Sequence, residues 1–190
     1  MRYKIIGDSC LDLTKEMRKD PCYSMIPLTL MVGERHFVDD ETFDQADFLQ
    51  KVAACPECPK SACPSPESYR KAFDCEADHV YCVTLSSELS GSYNSACNAR
   101  EIVCEEHPEA KITVINSEAA TVSQGLMVIE AGRMCMDNVP YDTCVRILEE
   151  MKKTNRIFFT VGSVDYLKHG GRIGKLAGLA KSALSLKPLI

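Results

Sequence analysis

The sequence predicts an α/β fold: a parallel sheet flanked by helices. Two observations carry this prediction. Short apolar strands alternate with helix-patterned segments along most of the 190 residues, as expected of parallel strands joined by crossover helices. Several of those strands also run straight into loops bearing hydroxyl groups, at what would be one rim of such a sheet.

The elements follow in order. Lys4-Ile5-Ile6-Gly7 reads as a strand, with Asp8-Ser9-Cys10 directly after it. Leu13 to Lys19 reads as a short helix stopped at Pro21. Met25 to Val32 is apolar and extended, and Gly33-Glu34 suggests a hairpin with Arg35 to Val38. Asp47 to Ala54 is helical, with Phe48, Leu49, Val52 and Ala53 on one face. Cys55 to Pro66 is proline-rich without periodicity and reads as a loop. Ser65 then has the form of an N-cap, with Pro66 at the first helical position and the helix continuing through Tyr69 to Phe73.

His79 to Leu85 is a strand, Tyr93 to Glu105 a helix, and Ile112 to Ile115 the next strand. Leu126 to Met136 is apolar almost all round, which predicts a buried helix. Asn138-Val139-Pro140 is the predicted boundary between a first domain, 1–138, and an incomplete second one, 139–190. Within the latter, Tyr141 to Lys153 is an amphipathic helix and Arg156 to Val161 a strand. The final stretch, Leu186-Lys187-Pro188-Leu189-Ile190, is apolar where termini are usually polar, which predicts a fragment or a partner-covered end.

Composition narrows the function. Apolar residues make up 45% and charged residues 26%, ordinary for a packed globular chain. A net charge of −5 argues against nucleic acid as the main partner, since phosphate contacts need a basic face. No apolar run approaches the roughly 20 residues of a transmembrane helix. The start, Met1 to Ile6, lacks the long apolar core of a signal peptide, so the expected location is the cytoplasm. Eleven cysteines without such a signal read as reduced thiols serving as small hydrophobes.

The hydroxyl-bearing loops are Asp8-Ser9, Ser86-Ser87-Glu88-Leu89-Ser90-Gly91-Ser92, Asn116-Ser117 and Gly162-Ser163. Each serine on its own suits a helix cap. Gathered on one rim, with Ser90-Gly91-Ser92 opening a helix, they suit an anion such as a carboxylate or phosphate. Other motifs carry less. Cys55-Pro56-Glu57-Cys58, with Cys63 beyond, is half a zinc or redox site and lacks a second pair. His169 to Leu176 fails the P-loop pattern and reads as a glycine-capped helix end, with Arg172 a structural or anion contact. There is no GxSxG elbow and no HExxH, and His36, His79, His107 and His169 are scattered. Nothing in these residues requires an enzyme.

Taken together, the motifs resemble those of the DegV family of bacterial fatty-acid-binding proteins. Ile5 to Leu13 is like the family's strand and D-S-x-x-D-L turn, and Ile26-Pro27-Leu28-Thr29-Leu30 like its second strand. Lys60 to Pro66 stands for the K-T-S-Q-P-S loop, and Leu85 to Ala96 for S-x-x-L-S-G-T-Y-x-S-A. Leu167 to Ile173 is like L-K-x-G-G-R-I, and Leu186 to Ile190 like I-K-P-I-L. The resemblance implies a two-domain fold holding a fatty acid between its domains. It places the carboxylate on Ser61 and on Ser90 or Ser92 with Gly91, and leaves Asp8, Ser9, Ser117 and Arg172 as candidate rim residues. It further implies no cofactor, no metal and no chemistry by the carrier itself, which delivers the acid to a fatty-acid kinase making acyl phosphate for phospholipid synthesis. Family members continue beyond the K-P-I-L strand, so a truncated second domain is expected.

The sequence departs from the pattern in places. Ser61 stands for Thr, Ala62 and Cys63 for Ser and Gln, and Asn116 for Asp. Two other functions stay open from the residues alone: an enzyme acting on a small anion through Asp8 and Ser90, and a metal- or thiol-dependent regulator using Cys55, Cys58 and Cys63.

Overall fold

The structure is a computed structural model that describes residues 2–160 and 165–172. It divides into two compact units, one formed by Met1–Leu28 and Cys63–Arg156, the other by Thr29–Ala62 and Ile157–Ile190.

The first unit is built on four parallel strands: β1 (Tyr3–Asp8), β2 (Tyr23–Ile26), β6 (His79–Thr84) and β7 (Ile112–Asn116), in the order β2-β1-β6-β7. Side chains alternate across such a sheet, and both of its faces are covered. Ile5, Tyr81, Val83 and Ile115 point to one face, where they meet Met127, Val128, Ala131 and Met134 of α4 (Thr121–Met136) and Cys144 and Leu148 of α5 (Tyr141–Thr154). Ile6, Val80, Cys82 and Ile112 point to the other, against Tyr69 and Phe73 of α2 (Pro66–Phe73) and Ala96, Ala99 and Val103 of α3 (Ser92–Glu106). Every residue of β6 is buried, as the central strand of a doubly covered sheet must be. Ser65 caps α2 by accepting the Ser68 N–H at 3.2 Å, with Pro66 at the first turn, as the sequence predicts.

The second unit holds an antiparallel sheet, β4-β3-β5, of β3 (Thr29–Val32), β4 (Arg35–Val38) and β5 (Lys60–Ala62). Gly33-Glu34 makes the two-residue turn of the β3–β4 hairpin, with Gly33 at φ 56° in the left-handed region that such turns require. Phe48 of α1 (Gln45–Ala54) packs edge-on to Phe37 at 5.3 Å and against Phe43 at 5.4 Å. The short helix α6 (Asp165–His169) also belongs to this unit.

The structure corrects five expectations. The boundary does not fall at 138/139. Asn138 takes a left-handed conformation at φ 56° and the Val139 N–H returns to Met134 O at 2.9 Å, so this segment is a tight helix-ending turn. α5 therefore folds back onto the first core, while residues 29–62 leave it. The loop expected from Cys55 to Pro66 contains β5, whose backbone pairs with β3 from Thr29↔Ala62 to Met31↔Lys60. Helix Leu126–Met136 is not buried all round: Leu126, Ile129 and Met136 are exposed, because the helix lies on one sheet face and turns its far side outward. The helix expected from Leu13 narrows to a single 3-10 turn, Met17–Lys19. Residues 156–159 form no strand, and Phe158 there is 72% exposed. The Gly162-Ser163 loop and the Leu186–Ile190 stretch lie outside the described residues. Among those described, no helix is long and apolar enough to cross a membrane.

Candidate anion site at the strand ends

Because its four strands are parallel, the first unit brings the loops after β1, β6 and β7 to one edge of the sheet. Asp8, Ser9, Ser90, Gly91, Ser92 and Ser117 all belong to those loops or the residues bordering them. Ser61 is exposed on β5 opposite Leu30, and Arg172 is exposed after α6 with its guanidinium donating to Gly170 O at 2.6 Å; both belong to the second unit.

The hydroxyls of this edge are not equivalent. Ser9 Oγ accepts the Leu28 N–H at 3.0 Å, which ties the β1 loop to the end of β2. Ser117 is 1% exposed, and its hydroxyl closes a local turn by donating to Ala119 O and accepting the Ala119 N–H, both at 3.1 Å. These two serines are structural, but neither caps a helix as the plainer reading of the sequence expects: one ties two strand ends together and the other closes a turn.

Asp8 is also structural. It is 0% exposed, and its oxygens accept the Leu85 N–H at 2.8 Å, Gln124 Nε2 at 3.3 Å and the Cys10 N–H at 3.3 Å. Gln124 Nε2 also donates to Val83 O at 3.0 Å, so the Asp8–Gln124 pair fastens β1, β6 and α4 together. Burial raises the Asp8 pKa from 3.8 to about 6, against the lowering effect of the hydrogen bonds from Leu85, Gln124 and Cys10. A carboxylate so enclosed is a strut beneath the rim and has no surface to offer an anion or a substrate.

The β6 and β7 loops are stitched to each other above it. Asn116 Oδ1 accepts the Ser87 N–H at 3.1 Å and the Glu118 N–H at 3.2 Å, while its Nδ2 donates to Ser87 Oγ at 2.8 Å. An aspartate here would lack that last donor. The Ser86 N–H adds a bond to Ala119 O at 2.8 Å.

The Ser90-Gly91-Ser92 turn remains as the open part. Ser92 is 0% exposed and begins α3; its N–H donates to Ser90 Oγ at 3.2 Å, and the two hydroxyls lie 3.0 Å apart. Ser90 is half-buried and Gly91 exposed. Of the two serines, Ser90 alone can present its hydroxyl to a ligand, beside the unpaired N–H groups and positive end of a fifteen-residue helix. Gly91 leaves little room for a side chain: a Cβ there would stand 3.0 Å from Cys63 Sγ, which lies 3.9 Å from Ser95 Oγ. Gln124 is absent from the sequence-based site, and Cys63 and Asn116 enter it only as a thiol candidate and as part of a rim loop. Their roles depend on contacts between segments far apart in the chain, which no local spacing reveals. Among the described residues no group of three or more His, Cys, Asp or Glu stands where it could hold a metal ion.

Comparison with known proteins gives a consistent picture. Residues 2–190 match the family model of the DegV family, described as uncharacterised proteins. A DegV domain-containing protein of Streptococcus gordonii is 34% identical over 180 residues, covering 94% of this chain and 64% of that protein. The chain thus spans somewhat less than two thirds of that relative's length. Among solved structures, the fatty acid kinase B3 protein of Streptococcus pneumoniae, loaded with linoleic acid, superposes with a TM-score of 0.88 at 33% identity, covering 100% of this chain and 68% of that one. A stearic acid-binding protein of Eubacterium ventriosum superposes with a TM-score of 0.86 at 38% identity, covering 99% of this chain and 66% of that one.

Proposed function

The chain belongs to the DegV family, and from that premise we propose that it binds a long-chain fatty acid by its carboxylate and presents it to a fatty-acid kinase. The observation that carries this is the Ser90-Gly91-Ser92 turn: a half-buried hydroxyl and an exposed glycine at the open start of α3, fixed in place by the loops around it. Ser90 and the Gly91 backbone are the proposed contacts from the first unit, with Ser92 acting through Ser90. Ser61 is a further proposed donor, because it keeps the hydroxyl of the family's K-T-S-Q-P-S loop. The linoleic and stearic acids of the two solved relatives support the choice of ligand.

The chemistry suits such a ligand. A fatty acid carries one anionic head, whose desolvation a few aimed donors offset. Each CH₂ of its tail gains about 0.8 kcal/mol on burial. Donors of this kind hold a carboxylate without activating it, so the proposed role is that of a carrier with the acid as its ligand and no further cofactor; acyl-phosphate formation falls to the kinase.

The test is titration of the protein with oleate or palmitate, compared with Ser61→Ala combined with Ser90→Ala. The double variant should bind on the order of a hundredfold more weakly, about 1.5 kcal/mol for each charge-assisted hydrogen bond lost, with an unchanged circular dichroism spectrum. Equal affinity of the two proteins would mean that these hydroxyls do not hold the acid.

A further inference from the structure

Beneath the Ser90-Gly91-Ser92 turn the fold leaves one polar atom poorly matched. Tyr69, on α2, is 0% exposed, with its ring 6.1 Å from that of Phe73 and in the same core as Ile6, Cys82 and Ala96. Burial pushes its pKa up, and Ser92 is the neighbour its hydroxyl approaches. The contact falls short of hydrogen-bond geometry, so the hydroxyl stands without a partner. A buried hydroxyl left in this state weakens a fold, and phenylalanine would fill the same space without that cost. The Tyr69 oxygen therefore has no packing role, but it faces the inner end of a hydroxyl pair whose outer end is Ser90.

The proton arrangement of that pair matters. Ser90 Oγ accepts the Ser92 N–H at 3.2 Å and lies 3.0 Å from Ser92 Oγ. If the Ser92 hydroxyl donates to Ser90, both acceptor sites on Ser90 are filled and its single proton must point outward. If Ser92 instead accepts from Ser90, that proton is consumed internally and Ser90 turns a lone pair toward an incoming anion. A donor behind Ser92 selects the first arrangement, and Tyr69 is the neutral hydroxyl in position to be that donor.

We propose that Tyr69 is a positioning residue for the carboxylate site: its O–H donates to Ser92 Oγ, the Ser92 O–H donates to Ser90 Oγ, and the Ser90 O–H donates to the bound anion. This rests on the carboxylate-binding role proposed above and adds the residue that sets its polarity. No proton is transferred; a small rotation of the Tyr69 hydroxyl toward Ser92 Oγ completes the chain when the anion arrives, while the Ser92 O–H stays on Ser90, and each bond in such a chain polarises the next. Ser92 and Tyr69 never touch the ligand.

Tyr69→Phe tests this, measured by calorimetric titration with oleate and with oleyl alcohol, which shares the tail and lacks the charge. The variant should bind oleate about tenfold more weakly, the scale of one charge-assisted hydrogen bond. It should bind oleyl alcohol within about twofold of wild type, since the apolar contacts are untouched. Its melting temperature without ligand should not fall. Ser92→Ala should show the same loss for oleate, and adding Tyr69→Phe to it should cost nothing more, because both act through one chain. Unchanged oleate affinity in Tyr69→Phe, equal weakening for both ligands, or additive losses in the double variant would each overturn the relay. A wild-type protein that takes up no oleate would overturn the carboxylate reading itself, and the relay with it.

Discussion

Asp8 should make the stability of this protein depend on pH in the direction opposite to that of an ordinary salt-bridged carboxylate. Its side chain is fully buried under the strand-end loops, with N–H donors around it. The pKa rises from 3.8 to about 6 because burial outweighs those donors. Between these two values the folded state binds a proton that the unfolded chain has released, so stability falls as pH rises. The contribution is fully present below about pH 4 and gone above about pH 6. At about 1.4 kcal/mol per pH unit the span from 3.8 to about 6 amounts to about 3 kcal/mol. The exposed Glu67, Glu150 and Asp78 and the half-buried Glu130 and Asp40 are held low by neighbouring donors and pull the other way. The whole-protein profile therefore mixes both signs, and Asp8 has to be isolated by difference. Urea unfolding of wild type and Asp8→Asn at intervals from pH 4 to pH 7 does this. The amide cannot ionise, so the variant should gain on wild type steadily through that range, by up to about 3 kcal/mol. Its offset at pH 4 also reflects an Nδ2 group set against N–H donors and is not diagnostic; the slope is. A wild-type-minus-variant difference that stays flat from pH 4 to pH 7, or that grows, would refute the assignment of Asp8 as a buried strut of raised pKa.

Two further perturbations probe the framework. Leu148→Ala removes a fully buried side chain of α5 from the core it shares with Met134 and Ile115, and should cost about 2–5 kcal/mol in chemical denaturation; a cost near zero would mean that α5 does not belong to the first unit. Gly91→Ala places a methyl 3.0 Å from Cys63 Sγ, and should cost about 1 kcal/mol by overpacking. Cys63→Ala should relieve most of that cost, and thermal melts of the four proteins in the cycle would show whether the two sites are coupled.

Much of the first unit could be read from the chain. β1, β6 and β7 announce themselves as short apolar runs, and Ser65-Pro66 marks the start of α2, because these signals are local. The short β5 was missed: its Lys60, Ser61 and Ala62 are exposed and without apolar alternation, and their strand state comes from pairing with β3. The domain boundary was misplaced for a related reason. Pro140 looks like a linker residue in sequence, whereas Cys144 and Leu148 reveal their partners only once α5 has folded onto the sheet. The serines show the same limit at the site. Sequence could gather Ser9, Ser90, Ser92 and Ser117 on one rim by topology. Whether each hydroxyl is spent depends on Leu28, Ala119 and the Ser90–Ser92 pair, and that separates Ser90 from the rest. Tyr69 carried no motif at all; a buried aromatic on a helix reads as core until its oxygen is found facing Ser92.

The central claim is that the protein carries a fatty acid, and mass spectrometry of an organic extract of the freshly purified protein tests it most directly. The account predicts a stoichiometric long-chain acyl species in the extract, or stoichiometric uptake of added oleate or palmitate by the delipidated protein. An extract free of acyl chains, from a protein that also takes up neither acid, would contradict it.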